Sequence, residues 1–252
     1  MTFKNELAPV LVTGGTGRTG ARLVRRLWNR HVGVRIGSRR APIPFDWHDS
    51  TTWPAAVEGV RAAYLCYSPD LAFPGASGLI ADFAETAAEA GVQRLVLLSG
   101  RGEDGARAAE DSVQMCGLEW TVLRCSWFAQ NFSEHFLLGP GRHFGRLLEL
   151  TGPRLLTLQD VAAELSAAPG RRIEFVACTA QEFAADLAND GIPAEEALPL
   201  AGLFTEILDG RNSSSTSDPA RALNRKPTDF ATYASRTATT GVWATPTRAE
   251  LR

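Results

Sequence analysis

The segment Val10–Gly20, with the sequence VLVTGGTGRTG, constrains the fold of this chain more than any other part. Its apolar start is typical of a buried parallel strand, and residues 18–30 have the apolar spacing of an amphipathic helix. Gly14, Gly17 and Gly20 lie in the turn between them. Such a turn lets backbone N–H groups and the positive end of the helix approach a pyrophosphate. A tight turn that binds nothing is the alternative, but the strand–turn–helix context favours a dinucleotide site.

The end of the second predicted strand, Val32–Gly37, indicates which dinucleotide is bound. Chains that bind NAD usually carry an acid about 20 positions after the glycine turn, whereas an arginine there suits the 2′-phosphate of NADP. Here Arg39 and Arg40 follow the strand, Arg18 can join them from the turn, and the next acid is Asp46. Guanidinium groups match the geometry of phosphate. The charge pattern therefore favours NADP(H) over NAD(H), and solvated arginines at a strand end are the alternative.

Composition limits what else the chain can be. Its 252 residues, 44% of them hydrophobic, suffice for one full core with an appendage. A net charge of −2, with arginines dispersed among acids, argues against a nucleic-acid surface. Residues 1–9 lack the apolar core of a signal peptide and no apolar run reaches membrane length, so we expect a cytoplasmic protein without membrane contact. The four cysteines lack C-x-x-C spacing and the four histidines are scattered, which predicts reduced thiols and no metal site.

Strands and helices alternate along the first half of the chain. Besides the elements above, strands are predicted over 43–46, 61–66, 93–98 and 119–123, with helices over 75–91 and 103–116. This order predicts an α/β fold, specifically a Rossmann-type doubly wound parallel sheet. We expect an NAD(P)-binding domain over 1–135, a smaller substrate-side region over 136–245 and a loose tail over 246–252. In that region we expect a helix starting at 157–160 with Asp160 as its cap, a strand over 173–177 and a helix over 180–190.

Ligands of parallel sheets collect beyond the carboxyl ends of the strands. That rule places several segments around one crevice: Gly14–Gly20, Arg39, Tyr67–Asp70, Ser99–Arg101 and Arg124–Asn131.

The chain lacks the residues of a Ser-Tyr-Lys reductase. Such an enzyme needs a lysine near its tyrosine, so that the phenol can exchange a proton with a carbonyl oxygen. The chain has two lysines, Lys4 and Lys226, and none of its three tyrosines forms a Tyr-x-x-x-Lys pair. Ser99 lies where the serine would be, without those partners. The catalytic residues are therefore not identified, and hydride transfer would suit an acceptor that needs little proton donation, such as a quinone, a flavin or an iminium.

Several motifs together resemble the NmrA-like branch of the atypical short-chain dehydrogenases/reductases. They are TGGTGRTG at 13–20, FDWHDSTTW at 45–53, WTVLR at 120–124, WFAQNFSE at 127–134, ELTGP at 149–153, DGRN at 209–212 and TGVW at 240–243. Within that branch the chain is most similar to bacterial proteins grouped with the festuclavine and agroclavine dehydrogenases, and it is related to NAD(P)H:quinone reductases and azoreductases.

The resemblance implies roles for individual residues. Those expected at the cofactor pyrophosphate are Gly14, Thr16, Gly17, Arg18, Thr19 and Gly20. Those expected at the adenosine are Ser38 and Arg39 on the phosphate, with Asp46 and Trp47 bordering the adenine. Those expected on the nicotinamide side are Tyr67, Ser68 and Pro69, and Ser99 is also assigned to the cofactor. Those expected in the substrate pocket are Trp127, Phe128 and Asn131, for whose aromatic members plain core packing is the alternative.

The chain departs from the family pattern at one place. Relatives usually carry a further strand and helix between the NFSE and ELTGP motifs, whereas here residues 136–148 cross directly. We therefore expect a shortened pocket wall. The leading hypothesis is an NADPH-dependent oxidoreductase acting on a small, electron-poor molecule, as a monomer or homodimer. A non-catalytic, redox-sensing NADP(H)-binding regulator is the main alternative, and a non-redox isomerase or cyclase is a third.

Overall fold

A computed structural model describes residues 8–126, 128–129, 146–168, 172–189, 192–240 and 243. These residues divide into two compact units. The first contains the described residues up to 128 together with 146–150, and the second contains residue 129 and the described residues from 151 onwards.

The first unit is built on a six-stranded sheet in which every pairing is parallel. In chain order the strands are β1 (Val10–Thr13), β2 (Val34–Gly37), β3 (Ala62–Leu65), β4 (Arg94–Gly100), β5 (Glu119–Cys125) and β6 (Arg146–Leu150). Their order across the sheet is β2-β1-β3-β4-β5-β6, so the chain winds outward in both directions from β1 and β3. The predicted α/β class and Rossmann-type parallel sheet are confirmed.

Helices cover both faces of this sheet. They are α1 (Gly20–Trp28), α2 (Trp53–Val57), α3 (Ala76–Glu89) and α4 (Asp104–Met115). Helix α1 packs through Val24 against Val12 and Tyr64 on one face. The other three helices form the main core on the opposite face, where Phe83 and Leu97 are buried completely. This two-sided burial is why the central strands β1 and β3, with the sequences VLVT and AAYL, are short runs without alternating polar residues.

Two predicted strands are wrong, and one strand was not predicted. Residues 43–46 form only an isolated bridge between Asp46 and Asp49, because Phe45 and Trp47 enter the core instead of extending the sheet. Residues 173–177 form no strand either. Strand β6, by contrast, begins within the crossing segment 136–148 and pairs directly with β5.

The second unit is helical in its described part. Its helices are α5 (Leu158–Ala167), α6 (Ala180–Asn189), α7 (Ala194–Ile207), α8 (Asp218–Leu223) and α9 (Phe230–Ala238). The predicted helix start is present, but Asp160 is not its cap: Thr157 is the N-cap, because its side chain accepts from the Asp160 N–H, and Asp160 is the reciprocal third residue of a capping box. None of the described helices is long and apolar enough to cross a membrane.

An ion cluster holds α5 and α9 together. Arg154 donates two hydrogen bonds to the Asp229 carboxylate, at 2.7 and 2.9 Å, and also pairs with Glu164. Beside it, Val161 and Phe230 belong to one apolar cluster. These contacts join two helices that are distant in sequence.

Candidate functional site

The glycine turn between β1 and α1 has the backbone geometry that a pyrophosphate site requires. Gly14 has a positive φ of 62°, and its carbonyl accepts a hydrogen bond from the Gly17 N–H at 2.8 Å. Gly20 opens α1, and a Cβ there would lie 2.2 Å from the Gly14 carbonyl oxygen. Only glycine at position 20 therefore allows the helix to pack so close to the turn.

Backbone donors in this turn are left for a ligand. Thr19 is the N-cap of α1, and its side chain makes no capping hydrogen bond. Within the described residues the N–H groups of Arg18, Thr19 and Gly20 have no acceptor. Because free N–H groups at a helix start attract anions, the turn fits a phosphate group.

Three exposed guanidinium groups lie beside this turn. Arg18 is in the turn itself, and Arg39 and Arg40 follow the carboxyl end of β2. The Thr16 hydroxyl donates to the Ser38 hydroxyl at 3.5 Å, which joins the turn after β1 to the turn after β2. No ion pair involves any of these arginines within the described part of the chain. The site thus offers positive charge next to the pyrophosphate cradle, as the sequence predicts for NADP(H).

The carboxyl ends of β1 and β3 are locked together beneath the turn. The Thr13 hydroxyl accepts from the Cys66 N–H at 2.8 Å and donates to the Tyr64 carbonyl at 3.2 Å. Thr19 and Cys66 are also in contact, with 3.8 Å between hydroxyl oxygen and sulfur. Burial raises the pKa of the Cys66 thiol, so this cysteine stays protonated and serves as part of the floor.

The two residues assigned to the adenine have clear structural roles. Trp47 is buried, and its indole N–H donates to the Cys66 carbonyl at 3.1 Å. Asp46 accepts the Trp53 indole N–H on its backbone carbonyl at 2.7 Å, and its side chain accepts from the His48 N–H. Their contact with adenine stays a prediction.

The segment after β3 lies where the nicotinamide side is predicted. Tyr67 packs against Trp47, with 5.5 Å between ring centroids, and the Ser68–Pro69 peptide bond is cis. Burial raises the pKa of both Tyr67 and Tyr64. This is the opposite of what a proton-exchanging tyrosine needs, because a neighbouring cation would have to lower its pKa.

Ser99 lies at the carboxyl end of β4, but its hydroxyl is already used. It donates at 2.5 Å to Glu110 on α4, a residue only 1% exposed. Glu110 forms a two-point ion pair with Arg124 of β5, and Arg124 also reaches Glu149 of β6 at 3.5 Å. Glu149 in turn pairs with Arg101 at 3.3 Å. The network joins the ends of three strands, and the Ser99 hydroxyl proton is engaged in the hydrogen bond to Glu110.

Sequence reasoning missed this network, although a signal was present. Glu110 occupies the apolar face of α4 between Ala106 and Val113, and Arg124 interrupts an apolar strand. A charged residue at a core position needs a partner of opposite charge, and Glu110 and Arg124 are such partners for each other.

A second carboxylate lies close to the same edge of the sheet. A Cβ at Gly100 would meet the Glu103 carboxylate oxygens at 1.9 Å, so the Glu103 side chain covers this glycine. Burial, assisted by the Glu103 charge, raises the pKa of the Cys125 thiol to about 12. Cys125 is therefore not a candidate nucleophile at neutral pH.

The predicted substrate pocket lies mostly outside the described residues. Trp127 and Asn131 are in that undescribed part, and Phe128 is half-buried at the end of the first unit. Among the described side chains, no group of three His, Cys, Asp or Glu residues could hold a metal ion. Of the predicted site residues, the structure brings those after β1 and those after β2 together, through the contact between Thr16 and Ser38.

No protein-family model matches the chain. Among curated proteins, an agroclavine dehydrogenase from Claviceps fusiformis is 28% identical, covering 90% of this chain and 96% of that protein. The uncharacterised oxidoreductase YesF of Bacillus subtilis is 28% identical, covering 90% of this chain and 94% of that protein. Prestalk A differentiation protein A of Dictyostelium discoideum is 26% identical, covering 90% and 92%.

Solved structures share the fold at lower identity. A nucleoside-diphosphate-sugar epimerase from Staphylococcus aureus has a TM-score of 0.73 and 17% identity, covering 90% of this chain and 99% of that one. The NADPH-dependent quinone oxidoreductase of Escherichia coli has a TM-score of 0.68 and 18% identity, covering 90% and 98%.

The fold and glycine turn thus define a protein of the Rossmann type. The resemblance found in the sequence is confirmed by the similarity to agroclavine dehydrogenases, and the solved structures confirm the fold. The alignment with the Claviceps fusiformis protein extends over 285 positions, although this chain has 252 residues. That relative therefore carries residues without a counterpart in this chain, and the expected missing segment at 136–148 stays a prediction.

Proposed function

We propose that this protein is an NADPH-dependent oxidoreductase. The observation that carries the proposal is the pairing of a glycine turn, with its free N–H groups, and the unpaired guanidiniums of Arg18, Arg39 and Arg40. NADPH carries a pyrophosphate, which the glycine turn suits, and a 2′-phosphate, which the guanidinium groups suit. The names of the relatives support the reaction class, because they include dehydrogenases and an NAD(P)H azoreductase from Xenophilus azovorans.

Each predicted cofactor residue has a specific task in this proposal. The backbone around Gly14, Gly17 and Gly20 would hold the pyrophosphate, and Arg39 with Ser38 would hold the 2′-phosphate. The segment from Tyr67 to Pro69 would border the nicotinamide ring. Trp127, Phe128 and Asn131 remain the residues proposed for the acceptor.

The proposed acceptor is a small quinone, an imine or a similar electron-poor molecule. NADPH supplies the hydride, and the question for this chain is which residue would supply a proton. Ser99 donates its hydroxyl proton to Glu110, and the chain has no Tyr-x-x-x-Lys pair. An acceptor that holds the incoming electron pair without a proton from the enzyme suits such a site.

The test is a titration of the purified protein with NADPH and NADH, followed by a substrate panel. Nicotinamide fluorescence and melting temperature are recorded together, and we expect tight binding with preference for NADPH. NADPH oxidation is then measured with quinones, azo dyes and cyclic imines. A folded protein that binds neither cofactor would refute the cofactor assignment, and binding with only background oxidation across the panel would refute the activity.

A second candidate is a non-catalytic, redox-sensing regulator that binds NADP(H) and a partner protein. Its support is the engaged Ser99 hydroxyl and one relative named for differentiation instead of an enzymatic reaction. A sensor must distinguish NADP⁺ from NADPH, so their dissociation constants should differ at least several-fold. Equal affinity for the two, with no protein captured in pull-downs, would eliminate this candidate.

A further inference from the structure

One segment of the first unit contains positively charged residues and no acids in its sequence. Between residues 8 and 45 the sequence contains no aspartate or glutamate, and the first acid is Asp46. The same stretch contains arginines at positions 18, 22, 25, 26, 30, 35, 39 and 40. In the chain as a whole, arginines are interspersed with acids, but in this segment they are not.

Most of these arginines face solvent. We define the arginine ridge as the six exposed residues of this set, which lie along α1 and after β2: Arg18, Arg25, Arg26, Arg30, Arg39 and Arg40. No ion pair joins any of the six to a described acid. Arg35 is different, because its guanidinium donates to the carbonyls of Ala55, Ala56 and Glu58 and thereby secures the end of α2.

The helix itself explains only part of this charge. Arg25 and Arg26 lie in the last turn of α1, where positive side chains favour the helix dipole. Arg18, Arg39 and Arg40 lie at the opposite end of the helix, where the dipole disfavours positive charge. The ridge therefore has members at both ends of α1, and the helix dipole accounts only for those in the last turn.

We propose that the arginine ridge captures the polyanionic cofactor electrostatically before it docks, and so accelerates association. This inference rests on the proposed NADPH-dependent function. A chain with a net charge of −2 repels NADPH on average, and a local field of one sign overcomes that repulsion at the entrance. Arg25 lies roughly 8 Å along the helix axis from Gly20, by the rise per residue of an α-helix. It therefore lies within the Debye length of about 10 Å at 0.1 M salt.

Capture and direct contact have different kinetic signatures. A charge outside the contact surface changes the association rate and its salt dependence, whereas a group that touches the ligand changes the dissociation rate. The residues that separate these cases are Arg25 and Arg26, which lie more than one helical turn beyond the glycine turn. Their loss should slow association only.

The experiment compares the double variant Arg25→Gln, Arg26→Gln with the wild type by stopped-flow mixing with NADPH at low and high salt. The matched control is Arg107→Glu, which changes net charge by the same two units. It lies on α4, whose helix packs on the opposite face of the sheet. We expect association of the double variant to be about threefold or more slower at low salt and equal at high salt, and we expect the control, which shares only the change in net charge, to be slowed clearly less.

The dissociation rate should be unchanged, and NADH, with fewer negative charges, should show a smaller effect. Equal association rates at low salt, or an equal slowing in the Arg107→Glu control, would overturn the inference. A change confined to dissociation would overturn it too, because it would mean direct contact. Failure of the wild type to bind NADPH would refute the proposed function itself, and the ridge inference with it.

Discussion

Replacing Glu110 by glutamine should destabilise the protein more than any surface change of the same kind. Glu110 is 1% exposed and accepts hydrogen bonds from Ser99 and Arg124. Glutamine keeps the shape of the side chain but removes its charge, which leaves the Arg124 guanidinium inside the protein with only Glu149 at 3.5 Å. Breaking one partner of a buried pair leaves the other charge uncompensated.

The expected loss follows from the burial of both partners. Breaking a buried ion pair costs about 3–5 kcal/mol, and the lower end applies here because the Arg124 side chain is 19% exposed and retains Glu149. A loss of about 3 kcal/mol corresponds to a fall in Tm of roughly 6–12 °C for a chain of this size. Urea unfolding followed by circular dichroism measures the free energy, and differential scanning calorimetry measures the Tm.

The chain offers a matched control in Arg94 and Glu119, whose charged groups approach to 2.6 Å with side chains 29% and 54% exposed. The Glu119→Gln variant should lose less than about 1 kcal/mol, because exposed pairs contribute little. A Glu110→Gln loss no larger than that of this control would refute the burial argument. The triple variant Ser99→Ala, Glu110→Leu, Arg124→Met should regain most of the stability, since it leaves neither a buried charge nor a buried hydroxyl without a partner, and Glu149 keeps its pair with Arg101.

Three further predictions concern the site and the second unit. Gly20→Ala places a Cβ 2.2 Å from a carbonyl oxygen of the glycine turn, so NADPH binding followed by fluorescence should be lost, while Gly78→Ala, with no atom within 4 Å of the added Cβ, should retain it. Arg39→Ala should weaken NADPH binding by about 10-fold or more in Kd, the value of a lost charge-assisted hydrogen bond, and leave NADH nearly unchanged. Arg154 holds the pKa of Asp229 below its usual range, so the stabilisation is present at neutral pH and lost as the pH falls through that lowered pKa. The free energy of unfolding, measured between pH 6 and 3, should therefore decline less in Arg154→Gln than in the wild type. Identical pH profiles of the two proteins would contradict this assignment.

The parts of the fold that were predictable are those with local signals. The turn at Gly14–Gly20 is a strand, a glycine cluster and a helix within one short segment, and each is specified by its own residues. The apolar runs of β3, β4 and β5 likewise predict buried parallel strands. The run at 43–46 carries the same apolar signal, but Phe45 and Trp47 satisfy it by entering the core. Apolar content alone does not separate a strand from an irregular segment that fills the same space.

Strand β6 shows the opposite limit. Residues 146–150 pair with β5 in register, yet the run RLLEL is too short for its apolar pattern alone to separate a strand from part of a helix. The pairing depends on β5 lying at the sheet edge, where its backbone N–H and C=O groups need partners. That requirement exists only once the other five strands are assembled.

Ser99 shows why the two halves of the proposed site differ in how well they can be deduced. Its position at the end of β4 follows from the strand pattern, but the direction of its hydroxyl depends on Glu110, 11 residues later, and Glu110 depends in turn on Arg124. In the proposed function, the phosphate side of the cofactor would be recognised mainly by backbone groups and arginine side chains, which a local motif specifies. The side of the proposed site that would hold the acceptor depends on side chains such as Ser99, whose hydrogen bonds are set by residues distant in sequence. The proposed activity is therefore best tested by varying the acceptor, because the glycine turn keeps free backbone donors whereas the Ser99 hydroxyl is engaged by Glu110.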